Sequence, residues 1–163
     1  MKTVNLYVLS FVIFCFTGLV SAQGFKGLIP LESTCEDVKR ILNVEKCSYP
    51  LSVYSLKDYI VGVYFKTETR SEDDKWCYKV PVGTVTSFDM SLNKGIPIKD
   101  FEYKLKFAEK LENDIVTIVY DNREKGVRAY VQNGVITNAF FGPTPEQRKK
   151  YAYECKSGCK QGK

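Results

Sequence analysis

The sequence predicts an α+β protein: a short N-terminal helix packed on a mostly antiparallel sheet that ends in a three-stranded meander, with a second short helix near the C-terminus. Three stretches carry this prediction. "STCEDVKRILN" joins a helix-start signature to apolar residues at helical spacing. "VYDNREKGVRAYVQNGVITNAFFG" sets β-branched and aromatic runs between turn residues, Asn133-Gly134 among them. "TPEQRKKY" places a proline at the first helical position behind a capping threonine.

The first helix is expected over 34–42. Ser33 reads as its N-cap, with Glu36 three residues on as the second half of a capping box. Glu36 and Asp37 complement the positive helix start. Val38, Ile41 and Leu42 form the apolar stripe, and Asn43 suits the left-handed C-terminal position. So short a helix is marginal alone in water, so packing and a covalent tie must hold it. "LSVYSL" and "YIVGVYFKT" then read as strands around a tight turn at Lys57-Asp58. "GTVTSFDMSL" alternates as a strand, with Val85, Ser87 and Asp89 on one face and Thr84, Thr86, Phe88 and Met90 on the other. In "KGIPIKDFEYKLKFAEKLEN" the residues Phe101, Tyr103, Leu105 and Phe107 alternate as a strand does, while Phe101, Leu105, Ala108 and Leu111 suit a helix. The reading adopted is a short helical turn leading into an extended piece. Strands over 115–120, 127–132 and 135–141 complete the meander, and Thr144, Pro145 and Gln147 open the last helix.

The N-terminus, "MKTVNLYVLSFVIFCFTGLVSAQG", has the form of a cleavable secretory signal. Lys2 is the positive end, 6–20 is apolar, and Val20-Ser21-Ala22 is the cleavage site. The apolar run is shorter than the roughly 20 residues of a spanning helix. Phe14 before Cys15 is too large for a lipobox. The expected organisation is a signal over 1–22, one α+β domain over 23–154 and a flexible tail over 155–163, with a soluble product that is secreted or periplasmic. The formal charge of +5 loses Lys2 with the signal. The remainder is scattered, enough for weak long-range attraction to anionic envelope polymers.

The chain has no histidine. That removes His-based triads, the common zinc sites and the usual near-neutral acid–base group. Of the 6 cysteines, Cys15 leaves with the signal. In an oxidising compartment the rest are expected to pair. Cys35 and Cys47 suit a staple, because residues 43–46 can run back along the helix far enough to bring the α-carbons within about 5–6 Å. Cys77 then ties the middle of the chain to Cys155 and leaves Cys159 as the odd thiol; the rival pairs Cys155 with Cys159 and leaves Cys77 free. C-x3-C without histidine makes no zinc site, so no metal and no cofactor are expected. A reactive Cys35 at a helix start is chemically reasonable, but a disulfide takes precedence in a secreted chain.

The sites that carry chemistry are few. Asp73-Asp74 lacks the glycine of an EF-hand loop and reads as a solvated turn. Asp121 with Glu124 is the one candidate carboxylate pair, yet it falls in an expected hairpin turn, where such residues mainly satisfy backbone groups. The 11 Tyr and 10 Phe supply a core and, in part, a sheet-face platform. Trp76 is expected to pack over a disulfide. The basic "EQRKKYAY" helix reads as a surface helix, nucleic acid being an implausible partner outside the cell. Two functions follow. The first is a non-catalytic secreted module that binds a protein or envelope component, with no catalytic residues. The alternative is a secreted hydrolase that uses paired carboxylates. A concave pocket with two carboxylates about 5–10 Å apart would speak for the hydrolase, and an exposed aromatic sheet face for the binder.

"IPLESTCEDVKRIL", "VPVGTVTSF", "VYDNREKGVRAYVQNGVIT" and "FFGPT" together resemble a family of small, uncharacterised secreted bacterial proteins, in the same order along nearly all of the mature chain. The resemblance implies fold and location and names no chemistry. The chain departs from it at Asn43, where a glycine is usual, and at Cys77, which stands later than the family's cysteine. A capped helix leading into an antiparallel meander is also similar, remotely, to the modules of outer-membrane assembly lipoproteins and β-lactamase inhibitor proteins, which are binding proteins.

Overall fold

A computed structural model describes residues 25–68, 76–112 and 116–154. The expected signal, Asp73-Asp74, Cys155, Cys159 and the expected tail over 155–163 lie outside them.

Helix α1, Cys35–Leu42, is capped by Thr34. This corrects the Ser33 cap. The Thr34 hydroxyl accepts from the Asp37 N–H at 3.4 Å and the Asp37 carboxylate accepts from the Thr34 N–H at 3.0 Å. Ser33 is instead buried, where its hydroxyl accepts from the Ile29 N–H at 2.9 Å. The Thr34 N–H, helped by the Arg40 guanidinium, holds the Asp37 carboxyl below its ordinary value. Asn43 closes the helix in the left-handed region, at φ 54°.

Strands β1, Leu51–Ser55, and β2, Tyr59–Phe65, flank the Lys57-Asp58 turn as expected. Strand β3 is Trp76–Tyr78 and β4 runs Val85–Pro97. A 3-10 turn at Ile98–Asp100 leads to β5, Lys106–Glu112, which is the helical-turn-then-extended reading of that segment. Then come β6, Val116–Asn122, β7, Val127–Gln132, and β8, Val135–Phe141. Asn133 and Gly134 both have positive φ, 50° and 80°, as a type I′ turn requires. Helix α2, Pro145–Tyr151, has the Thr144/Gln147 capping box and Pro145 in its first turn. It stops at Tyr151, and Ala152–Glu154 is a strand, β9, rather than more helix.

The described residues form a seven-stranded antiparallel sheet in the order β1-β2-β4-β8-β7-β6-β5, and a two-stranded sheet, β3-β9. The described residues are mostly β, with less helix than an α+β balance implies. The meander does not end the sheet: β5 extends it at one side and β8 docks on β4 at the other. The simple alternation expected of β4 is also corrected. A bulge opposite Tyr64/Phe65 admits Thr86 as an extra residue, so Val85 and Phe88 both reach the buried face.

One face of the sheet is covered. Val38 and Leu42 of α1 pack with Leu28, Val61, Val63, Val85 and Phe88 in one apolar cluster. Burial of each such side chain stabilises by about 1.5–3 kcal/mol. Phe88 and Phe141, opposite each other on β4 and β8, stack with centroids 4.7 Å apart. Tyr103, from the segment after the 3-10 turn, closes over Phe141 at 5.6 Å. Gln147 of α2 donates to the Pro30 carbonyl at 2.6 Å and so ties the C-terminal helix to the segment that precedes α1.

Cys35 and Cys47 are disulfide-bonded, with α-carbons 6.0 Å apart. Cys77 is also disulfide-bonded; its partner lies outside the described residues.

The stack makes a test. Phe88→Ala leaves a cavity beneath both α1 and Phe141. It is expected to lower unfolding stability by about 3–5 kcal/mol in a denaturant titration. Phe107→Ala, at a side chain 63% exposed, is expected to cost far less.

Candidate functional site

The opposite face of the sheet is not covered in the same way along β1, β2, β4 and β8. In an antiparallel pair alternate side chains share a face, so the registers define the rows. Leu51, Tyr64 and Ser87 make one row. Val53, Gly62, Asp89, Phe140 and Arg128 make the next. Ser55, Ile60, Ser91, Asn138 and Tyr130 make a third. Five large apolar side chains here stand in solvent: Leu51, Val53, Ile60, Tyr64 and Phe140, with Val53 63% exposed.

Gly62 sits at the centre of this patch, and its bare backbone has a steric reason. A Cβ there would collide with the Asp89 carboxylate, which lies over it. Partial burial first, then the charge and the hydrogen-bonding influence of the Asp89 carboxylate, push the Tyr64 phenol above its ordinary value. Asn138 adds a polar margin, donating to the Ser91 hydroxyl at 2.7 Å. The patch is thus an apolar surface with one fixed anion and, at its far edge, the exposed Arg128. Such an arrangement presents apolar contact area and hydrogen-bonding groups on one face.

The sequence-derived candidates fall elsewhere. Asp121 accepts from Arg123 Nε at 3.0 Å, and Glu124 lies exposed in the 3-10 turn Arg123–Lys125. The neighbouring Asn122 accepts from the Lys125 N–H at 3.2 Å and donates to the Lys104 carbonyl at 2.8 Å. These residues hold a turn together. An open depression beside it is lined by Glu124, Lys125, Pro145 and Glu146. Cys35 is bonded to Cys47, so it is not a thiol nucleophile in this state. Among the described residues no cluster of three His, Cys, Asp or Glu is placed to hold a metal ion, and no helix is long and apolar enough to cross a membrane.

The sequence allows for an exposed aromatic sheet face without naming its strands; of the five exposed side chains here only Tyr64 and Phe140 are aromatic. The signal was present in "YIVGVYF", apolar at nearly every position where a strand with one wet face alternates. Comparison of the chain with protein families, with curated proteins and with solved structures gives no match in any of the three.

The Tyr64–Asp89 pair predicts a titration. Asp89→Asn removes the like charge but leaves burial in place, so Tyr64 should ionise at lower pH than in the unmodified protein, read by phenolate absorbance. Tyr103, buried, is shifted upward too. Both folded phenols keep their protons beyond the ordinary value of 10.0, while the unfolded chain releases them there. The contribution of these two phenols to stability is therefore full below about pH 10 and is lost as pH rises above it.

Proposed function

We propose that this chain is an exported, non-catalytic module that binds a protein or polymer of the cell envelope or surroundings through the face bearing Leu51, Val53, Ile60, Tyr64 and Phe140. The exposure of these five side chains on one face carries the reading. An apolar patch on a soluble protein is costly to leave in water and marks a contact surface. Aromatic residues such as Tyr64 and Phe140 are the usual anchors of such contacts. Export is supported by the Cys35–Cys47 disulfide, a bond that persists in oxidising compartments, and by the signal-like form of residues 1–22. The resemblance to small secreted bacterial proteins agrees with this. Asp121 is engaged by Arg123 and weighs against the paired-carboxylate hydrolase.

The test is affinity capture from the producing cell's envelope fraction with the immobilised oxidised chain. Tyr64→Ser and Phe140→Ser are each expected to weaken capture of the same component by about 2 kcal/mol or more, as loss of an anchor does. Phe107→Ser, on the opposite edge strand, should leave it unchanged. Capture insensitive to both patch variants would contradict the reading, as would a robust hydrolytic activity abolished by Asp121→Asn.

A further inference from the structure

The two edges of the seven-stranded sheet are built differently. At β5 the edge carries Lys106, Glu109 and Lys110, and a bulge between Phe107 and Glu109 breaks its register. Charge and bulge are the usual protections against a further strand. At β1 the sequence is LSVYS, without a charge, and its register with β2 is continuous.

The direction of the β1 backbone groups follows from its pairing. The Phe65 N–H donates to the Pro50 carbonyl at 2.8 Å and the Leu56 N–H to the Tyr59 carbonyl at 2.9 Å. Hydrogen-bonded pairs alternate along an antiparallel ladder, so Ser52 and Tyr54 face β2 while Leu51, Val53 and Ser55 turn their N–H and C=O groups outward. Among the described residues no segment pairs with that outward row. Residues 46–48 are held instead through inward side chains: Ser52 Oγ donates to the Ser48 carbonyl at 2.9 Å and the Tyr54 hydroxyl to the Lys46 carbonyl at 2.8 Å.

We infer that β1 pairs antiparallel with β1 of a second copy of this chain, joining two sheets into one across a two-fold axis at Val53. The axis sets Val53 against Val53 and Leu51 against Ser55 of the second copy. Three such pairs, each an outward-facing residue meeting another, exchange about six backbone hydrogen bonds. A charge near a two-fold axis meets its own like, and β1 has none. The side chains of Leu51 and Val53 lie on the apolar face, so the patches of both copies become one continuous band. An extended segment of another protein would use the same row, but the odd-numbered, uncharged strand centred on its most exposed residue is self-complementary.

The inference shares a face with the binding proposal without depending on it: a monomer that still captures a partner leaves that proposal standing and removes this one. The experiment is sedimentation velocity of the secreted, oxidised chain over the micromolar to near-millimolar range, with Val53→Lys and Phe107→Lys beside it. Both positions are 63% exposed, so the fold should tolerate either lysine. The unmodified chain and Phe107→Lys are expected to dimerise. Val53→Lys should raise the dissociation constant at least about tenfold, because like charges directly opposite repel. Amide exchange on the unmodified chain removes reliance on the variant: Leu51, Val53 and Ser55 should gain protection with concentration while Ser52 and Tyr54 stay constant. A chain monomeric throughout, a Val53→Lys chain that dimerises as before, or exchange independent of concentration would each overturn it.

Discussion

The constraint on which this structure depends is the closure of the inner sheet face by a helix of 8 residues, α1, held by the Cys35–Cys47 bond. A helix of that length is marginal in water. Its ion pairs, Lys39–Glu36 and Arg40–Asp37, lie at the surface and contribute little. The capping box adds about 1 kcal/mol. What remains is Val38 and Leu42 buried against β2 and β4, and a bond that spans 12 positions of sequence. In the chain-entropy account, closing so short a loop contributes roughly 3 kcal/mol. The staple also directs the chain: after it, residues 46–48 run beneath β1, where Ser52 and Tyr54 fasten them.

That closure gives the two faces of the sheet different surroundings. On the inner side Phe88, Phe141, Val61 and Val63 pack under α1 and Tyr103, and this face supplies stability. On the outer side the same strands present Leu51, Val53, Ile60, Tyr64 and Phe140, none of which the helices cover. A strand with both faces apolar is ordinary inside a layered protein and unusual where one face is wet. β2 is the clearest instance, with the Asp89 carboxylate lying over the bare backbone of Gly62 on the outer face. This apolar surface lies beside β1, an edge strand that pairs with no described segment other than β2, and together they are the physical basis of the proposed contact role.

The parts of this architecture legible in the sequence are those set by local chemistry. Asn133-Gly134 specifies its turn through backbone preference alone, and Thr144-Pro145 with Gln147 specifies α2 through groups three residues apart. The Cys35–Cys47 bond followed from helix length and chain reach. The misreadings have tertiary causes. S-x-x-E at Ser33 and T-x-x-D at Thr34 both spell a cap, and the choice fell to Thr34 because Ser33 is drawn into contacts with Ile29 and Val85. Val85 was placed on the wrong face of β4, while Ser87, Phe88, Asp89 and Met90 fall as expected, because the Thr86 bulge is a feature of its pairing with β2, not of its own alternation. Pairing of β3 with β9 joins residues far apart in the chain, which no local pattern reports. The outer patch was visible as a surplus of apolar residues in β2, but which face they shared depended on β1 and β4 lying on either side of it and on β8 beyond β4.

The most direct measurement is equilibrium unfolding, with site-resolved amide exchange, of the Cys35→Ala/Cys47→Ala chain beside the oxidised protein. If the bond closes the inner face, stability falls by about 2–3 kcal/mol. The amides of α1 lose protection while those of the β7–β8 hairpin keep theirs. Unchanged stability, with α1 protected as before, would show that packing alone holds the helix and would contradict the account.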